Sequence, residues 1–212
     1  MKFYKSENTR KLVLLALLTG IVVLLQFLGA FVRFGPFSIS LVLMPIVVGA
    51  ALIGVFAGGW LGLVFGFVVL LSGDAVPFLL VDPAATILVV LLKGALAGLA
   101  AGFVYKLLAG KSRTLAAIGA GMACPIVNSG VFTIGSYAFF IPTLTGWAEA
   151  AGGFADVTAY IFVGMVGVNF LFELGLNLVL CPTVVRLIQF GQISAKGINP
   201  VRLSLVIFRA FH

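Results

Sequence analysis

Charged residues are scarce in this chain. They make up 9% of its 212 residues, whereas a soluble domain is about a quarter charged. Acidic residues are the rarest, with 6 Asp and Glu against 13 Lys and Arg. Hydrophobic residues account for 62% of the chain, and the mean hydropathy is +1.27. So little charge cannot cover the surface of a soluble protein, and the composition therefore predicts an integral membrane protein.

Histidine and cysteine are almost absent, and this excludes several kinds of site. The only histidine is His212, so we expect neither a histidine-based metal site nor a Ser-His triad within the membrane. Cys124 and Cys181 lie in apolar segments and form no metal or disulfide pattern, so we interpret both as small buried hydrophobes. No close acidic pair is visible in the sequence. We therefore predict no catalytic residues, no metal and no cofactor.

Long hydrophobic runs fill the rest of the chain and predict an all-α bundle of six transmembrane helices. A bilayer crossing needs about 20 apolar residues, so the length allows about six crossings in a single membrane domain, 1–212. Gly58–Gly59 is interpreted as a tight connection, Asp82 as a helix cap before Pro83, and 141–157 as the longest loop. The predicted spans are 12–32, 38–57, 60–71, 82–108, 115–140 and 158–188, and 189–212 forms a cytoplasmic or surface-lying tail.

The positions of the basic residues predict the orientation. With the N-terminus inside, nearly all Lys and Arg fall in cytoplasmic segments, and Arg33 is the one cation in an outer loop. This asymmetry predicts that both termini are cytoplasmic. It also explains the net charge of +7, so no nucleic-acid partner is required. We expect a multi-pass protein of a bacterial-type cell membrane.

Small residues recur at every fourth position in several of the spans. This spacing allows helix backbones to approach each other closely, and we interpret most of these residues as packing contacts. Ala16 and Gly20 form a similar pair in the first span, which could be a docking face for another membrane protein or an internal contact. The glycine series are Gly54, Gly58, Gly62 and Gly66 across the second and third spans, and Gly94, Gly98 and Gly102 in the fourth.

Four polar side chains are predicted at a similar depth in the membrane. Lys93 lies near the middle of the fourth span, Asn128 near the middle of the fifth, and Asn169 and Glu173 in the sixth. Asn169, Glu173 and Asn177 share one helix face because they are four residues apart. A buried charge is costly in lipid. Either Lys93 and Glu173 neutralise each other and the asparagines bond between helices, or these groups line a polar pocket. Asn177 is deeper and is expected to be a packing contact.

Arg33 follows the first span in a loop rich in phenylalanine. It could hold a substrate carboxylate, or it could be a solvated charge at the level of the lipid headgroups. Together with Lys93, it favours a carboxylate-bearing ligand.

Three stretches carry a resemblance to a known family. The first span reads KLVLLALLTGIVVLL, in which Ala16 and Gly20 stand where the family has an Ala-x-x-x-Ala-like docking motif. The others are FSISLVLMPIVVGAALIGVFAGGWLGLVFG and VGVNFLFELGLNLVLCPTVVR. In these stretches, and over about residues 10–190, the chain resembles the substrate-binding S component of energy-coupling-factor vitamin transporters.

The resemblance implies that this chain binds a vitamin or related micronutrient near the outer face and catalyses nothing. Its partners would be a transmembrane coupling subunit and two ATPase subunits, whose ATP hydrolysis would topple the S component and release the substrate inside. Residues 31–40 would form the gate of the pocket. The expected substrate-binding residues are Arg33, Lys93, Asn128, Asn169 and Glu173, and pantothenate is an example of a suitable carboxylate-bearing substrate.

Two other function classes compete with this interpretation. A self-sufficient secondary transporter or channel could use Lys93 and Glu173 as a proton or ion relay, and it should show an internal repeat, which is not clear in the sequence. An intramembrane enzyme would need paired catalytic groups, which the sequence lacks. The chain also shows no obvious aromatic clustering that would indicate a flat ring system as ligand.

Overall fold

The described part of the chain is almost entirely helical. A computed structural model describes residues 2–29, 33–34, 37–38 and 41–194. Two short strands, β1 and β2, pair antiparallel, Arg33 with Ser38 and Phe34 with Phe37. The elements in chain order are α1 (Lys2–Gly29), β1 (Arg33–Phe34), β2 (Phe37–Ser38), α2 (Leu43–Leu52), α3 (Val55–Leu71), α4 (Val76–Leu79), α5 (Pro83–Leu108), α6 (Arg113–Phe139), α7 (Ile141–Ala151), α8 (Val157–Ala159), a π-helix that we call π1 (Tyr160–Gly167), and α9 (Val168–Ser194).

Four helical stretches are long and apolar enough to cross a membrane: Glu7–Gly29, Pro83–Leu108, Arg113–Phe139 and Val157–Val185. The apolar helices α2 and α3 are shorter. The predicted all-helical membrane class is confirmed, whereas the count of six crossings and the cytoplasmic termini stay predictions. Of the predicted tail, 189–212, residues 195–212 lie outside the described part of the chain. Residues 189–194 belong to α9, which extends to Ser194.

The start of α5 follows the prediction from the Asp-Pro pair. The Asp82 side chain accepts a hydrogen bond from the Ala85 backbone N–H at 3.0 Å, and Pro83 is the first helical residue. A capping carboxylate satisfies one of the backbone N–H groups that have no partner inside the helix. This cap fixes the point where α5 enters the bundle, ten residues before Lys93.

The connection between α2 and α3 differs from the prediction. The break lies at Ile53–Gly54, and Gly58–Gly59 are helical residues within α3. Gly54 has a φ of 135°, a backbone conformation that glycine adopts without a steric penalty. Gly58 and Gly59 are glycines for another reason, since both pack against α5. The sequence contains several glycines here. Only the packing shows which of them breaks the helix and which of them contact α5.

The predicted loop 141–157 is also different, because it contains helix α7. Pro142 lies in the first turn, where its missing N–H does not matter. Leu144 and Ala148 are one turn apart and both are buried, as on the inner face of an amphipathic helix. The predicted sixth span likewise begins with α8 and the eight-residue π1 before α9.

The backbones of helices α3 and α5 lie close together, and glycine makes this contact possible. A Cβ atom added to Gly62 would meet the carbonyl oxygen of Gly94, and one added to Gly94 would meet the carbonyl oxygen of Gly62. Gly58 and Gly98 oppose each other in the same way. The predicted role of these residues in close packing is confirmed.

The bundle buries two hydrophobic clusters, and members of both line a cavity. The larger surrounds α2, where Leu43, Ile46 and Val47 are fully buried. The smaller joins α7 to π1 through Leu144 and Ile161. In order across the bundle, α3 packs on α5, α5 on α6 and α6 on α9, while α1 contacts α2 and α3.

We predict that Gly62→Ala destabilises the chain by about 1–3 kcal/mol, because the methyl group must push α3 away from the α5 backbone. Thermal unfolding in detergent micelles measures the effect. Gly175→Ala is the matched control, since a Cβ at Gly175 meets nothing within 4 Å. Equal melting temperatures for the two variants would contradict the close contact.

Candidate functional site

A cavity occupies the half of the bundle in which α1 and α3 end and α5 begins. Water-sized molecules could occupy about 100 Å³ of it. Its walls come from α1, α3, α5, α6, π1 and α9, and from the segment around α4. The polar residues that line it are Gln26, Asp74, Thr86, Lys93, Asn128, Ser129, Ser136, Asn169 and Glu173.

Lys93 projects from α5 between two aromatic rings. Its Nζ atom lies 5.4 Å from the centroid of Phe65 and 5.4 Å from that of Phe132. An ammonium group is attracted to the negative face of each ring. Among the described residues, Lys93 and Glu173 form no ion pair within 4.0 Å, but Glu173 and Asp74 both act on Lys93 electrostatically. The ammonium group is therefore held by rings and by longer-range attraction.

Glu173 lies at the base of the cavity and is 1% exposed. Its Oε1 atom accepts a hydrogen bond from Asn169 Nδ2 at 3.2 Å. Its Oε2 atom has no hydrogen-bond partner in the described part of the chain, and the same holds for Asn169 Oδ1, Asn128 Oδ1 and Ser136 Oγ. Buried polar atoms normally have partners, so this group of acceptors is suited to bind a molecule that carries N–H or O–H groups.

Asn177 lies one turn beyond Glu173 and does not line the cavity. Its Nδ2 group donates to the backbone carbonyl of Glu173 at 2.8 Å, and its Oδ1 atom accepts from Cys181 Sγ at 3.2 Å. Both partners are on α9 itself. Asn177 thus supports the helix below the site.

The mouth of the cavity contains a polar contact that the sequence analysis did not identify. Gln26 of α1 is 3% exposed, and its Nε2 group donates to Asp74 Oδ2 at 2.6 Å and to Ser72 Oγ at 3.4 Å. This contact joins the end of α1 to the turn after α3. Gln26 interrupts an apolar run, and that signal could have identified it.

Aromatic side chains cover one wall of the cavity. The ring of Phe78 makes edge contacts with Phe140 at 5.0 Å, Trp147 at 5.4 Å and Phe132 at 5.7 Å between centroids. The expectation that the chain lacks aromatic clustering is therefore wrong. These residues come from α4, α6, α7 and the junction of α6 and α7 at Phe140, so no local sequence pattern indicates that they meet.

The structure gathers four of the five predicted binding residues, since Lys93, Asn128, Asn169 and Glu173 all line the cavity. Arg33 lies in β1, and its side chain is outside the described part of the structure. The proposed docking pair is elsewhere: Ala16 and Gly20 are exposed on α1, and a Cβ at Gly20 would meet nothing within 4 Å.

Exchanging the charges at positions 93 and 173 tests whether a direct ion pair between Lys93 and Glu173 stabilises the protein. We predict that Lys93→Glu, Glu173→Lys and the double exchange all lower thermal stability to a similar extent. A carboxylate at position 93 would face the negative faces of two rings, and a lysine at position 173 could not accept from Asn169. Recovery of most of the stability in the double exchange would instead indicate that the ion pair dominates.

Comparison with known proteins gives a family and a fold. The sequence profile of "ECF transporter, substrate-specific component" matches residues 10–185. No curated protein matches the chain. The solved structure of ThiT from Listeria monocytogenes is similar, with a TM-score of 0.64 and 20% identity, and the match covers 85% of this chain and 95% of that one. Identity at this level shows a shared fold alone.

The family match spans all the helices that form the cavity, and the solved structure has the same overall fold. The apolar helices agree with a multi-pass membrane protein. The predicted family is thus confirmed: the chain belongs to the substrate-specific components of ECF transporters, whose role is to bind substrate.

Proposed function

We propose that this chain is the high-affinity binding subunit of an ATP-driven importer for a vitamin or related micronutrient. The cavity is the observation that supports this function most directly. It combines an aromatic wall formed around Phe78 with a polar base formed by Lys93, Asn169 and Glu173. Apolar walls with a few convergent polar groups are typical of small-molecule sites.

The position of the cavity agrees with uptake from outside. The cavity lies in the half of the bundle that contains the end of α1 and the start of α5. The basic residues Lys106, Lys111 and Arg113 lie at the opposite ends of α5 and α6, which the charge asymmetry assigns to the cytoplasm. On this orientation the cavity opens toward the outside, where a substrate-capturing subunit meets its ligand.

The face of α1 that points away from the bundle supports an assembly with a coupling subunit. Ala16 and Gly20 are surrounded by exposed apolar residues, among them Leu17 at 61% and Leu24 at 60% exposure. Small residues on a membrane-facing helix allow another helix to approach closely. We infer that a transmembrane coupling subunit docks here and that two ATPase subunits supply the energy, so the chain itself carries out no catalysis.

The substrate preference predicted from the sequence is part of this proposal. Arg33 would bind a carboxylate such as that of pantothenate, and the aromatic wall would contact the apolar part of the same molecule. Lys93, which lines the cavity, would bind a further polar group of that molecule. Arg33 would contribute from the hairpin formed by β1 and β2.

We predict that the purified chain retains one small molecule, which mass spectrometry of a denatured extract identifies. Phe78→Ala should lower the affinity for that molecule at least about tenfold, because an aromatic contact of 1 kcal/mol or more is lost together with apolar burial. Phe103→Ala is the control, since Phe103 is 58% exposed and outside the cavity. A ligand whose affinity is insensitive to Phe78 would bind elsewhere.

We predict that replacing both Ala16 and Gly20 with leucine abolishes co-purification with the coupling subunit and ATPases while ligand binding is retained. The larger side chains would block close helix approach. Gly175→Leu is the matched control, because Gly175 is also an exposed glycine in a membrane helix. A chain that transports substrate without any partner would overturn the importer proposal and favour the self-sufficient transporter based on Lys93 and Glu173.

A further inference from the structure

We propose that the polar end of the ligand is a neutral group with a hydrogen-bond acceptor and donor on neighbouring atoms, as in a carboxamide, lactam or ureido group. Its oxygen would accept from Lys93, and its N–H would donate to Glu173 and Asn169. This inference rests on the proposed binding function, and it specifies the chemistry that the cavity recognises.

The base of the cavity offers both kinds of unpaired group. Glu173 is 1% exposed, and its Oε2 atom has no partner among the described residues. The orientation of the Asn169 amide is fixed, because its Nδ2 group donates to Glu173 Oε1, and its Oδ1 atom is therefore an acceptor that also has no partner in that part of the chain. Lys93 lines the same cavity and provides a donor, which lies 5.4 Å from the ring centroids of Phe65 and Phe132.

A simple carboxylate satisfies only half of this site. It would accept from Lys93, but it could donate nothing to Glu173 Oε2 or Asn169 Oδ1, and an unsatisfied buried acceptor is costly. It would also bring a third negative charge close to Lys93, which already interacts with Glu173 and Asp74. Like charges repel strongly where the surroundings are apolar. The attraction of a ligand carboxylate to Lys93 is thus offset by its repulsion from Glu173 and Asp74.

A simple ammonium group fails for the opposite reason. It could donate to Glu173 and Asn169, but it would leave the Lys93 ammonium without an acceptor and would place two cations together. A neutral donor–acceptor group pairs with both sides and adds no net charge.

Three small phenyl compounds separate these possibilities: benzamide, benzoate and benzylamine. They share a phenyl ring and carry a neutral donor–acceptor group, an anion and a cation. Dissociation constants are measured by ligand-observed NMR on the full-length chain in detergent micelles, after extensive dialysis to remove any resident molecule. We expect benzamide to bind at least about tenfold more tightly than either charged probe, since each charged probe leaves one side of the site unpaired.

Two conservative variants should change the preference in opposite directions. Lys93→Met removes the ammonium group and keeps an unbranched side chain between the two rings. It should weaken benzamide about tenfold while benzylamine gains affinity. Glu173→Gln should weaken benzamide by a similar factor while benzoate gains, because the repelling charge is lost. Asn177→Ala is the control on the same helix face, and it should leave the ratios of the three constants unchanged.

A purely structural role of Lys93 and Glu173 would weaken all three probes alike and would overturn the proposal. Tighter binding of benzoate than of benzamide, or binding of none of the three by a folded chain, would also overturn it. These outcomes differ from a failure of the proposed function. A chain that retains a small molecule and assembles with its coupling partners, yet prefers benzoate, would keep the importer role and lose only the assigned ligand chemistry.

Discussion

The contact between α3 and α5 is the interaction on which the site depends. Gly62 and Gly94 bring the two backbones together, and the residues next to this contact form part of the cavity wall. Lys93 immediately precedes Gly94, and Phe65 immediately precedes Gly66, which packs against the backbone of Val90 and Leu91. The ammonium of Lys93 and the ring of Phe65 are therefore held 5.4 Å apart by backbone packing. If the helices separated, this cation would lose one of the two rings that stabilise it in an apolar environment.

The sequence predicts the polar part of the site much better than its apolar part. Lys93, Asn128, Asn169 and Glu173 stand out because polar residues in apolar helices are rare and costly, and aligning the spans by depth is enough to bring them together. Phenylalanine is common throughout this chain, with 20 residues, so the four-ring contact around Phe78 has no distinguishing signal. Its members come from separate elements, and only the tertiary packing determines which of the phenylalanines face the cavity.

The errors in the predicted elements have a common physical origin. Glycine either breaks a helix or allows close packing, and the sequence alone does not distinguish Gly54 from Gly58. The first adopts a positive φ, whereas the second meets the backbone of Gly98. In the same way, Pro142 can end a helix or begin one. Helix α7 forms because Leu144 and Ala148 gain burial against π1 and the end of α6, a tertiary effect that local residue preferences do not contain.

Helix α1 links the two parts of the proposed function. Its exposed face carries Ala16 and Gly20, and ten residues after Ala16 it contributes Gln26 to the mouth of the cavity. The 2.6 Å hydrogen bond from Gln26 to Asp74 ties this helix to the turn that closes one side of the site. A ligand that interacts with Asp74 and a partner that docks on α1 would therefore act on the same rigid element. If docking shifts α1, thermodynamic linkage requires that the partner changes ligand affinity by the same factor by which the ligand changes partner affinity. A single helix of this kind is sufficient to couple substrate capture at one end of the bundle to contacts made along its membrane-facing side.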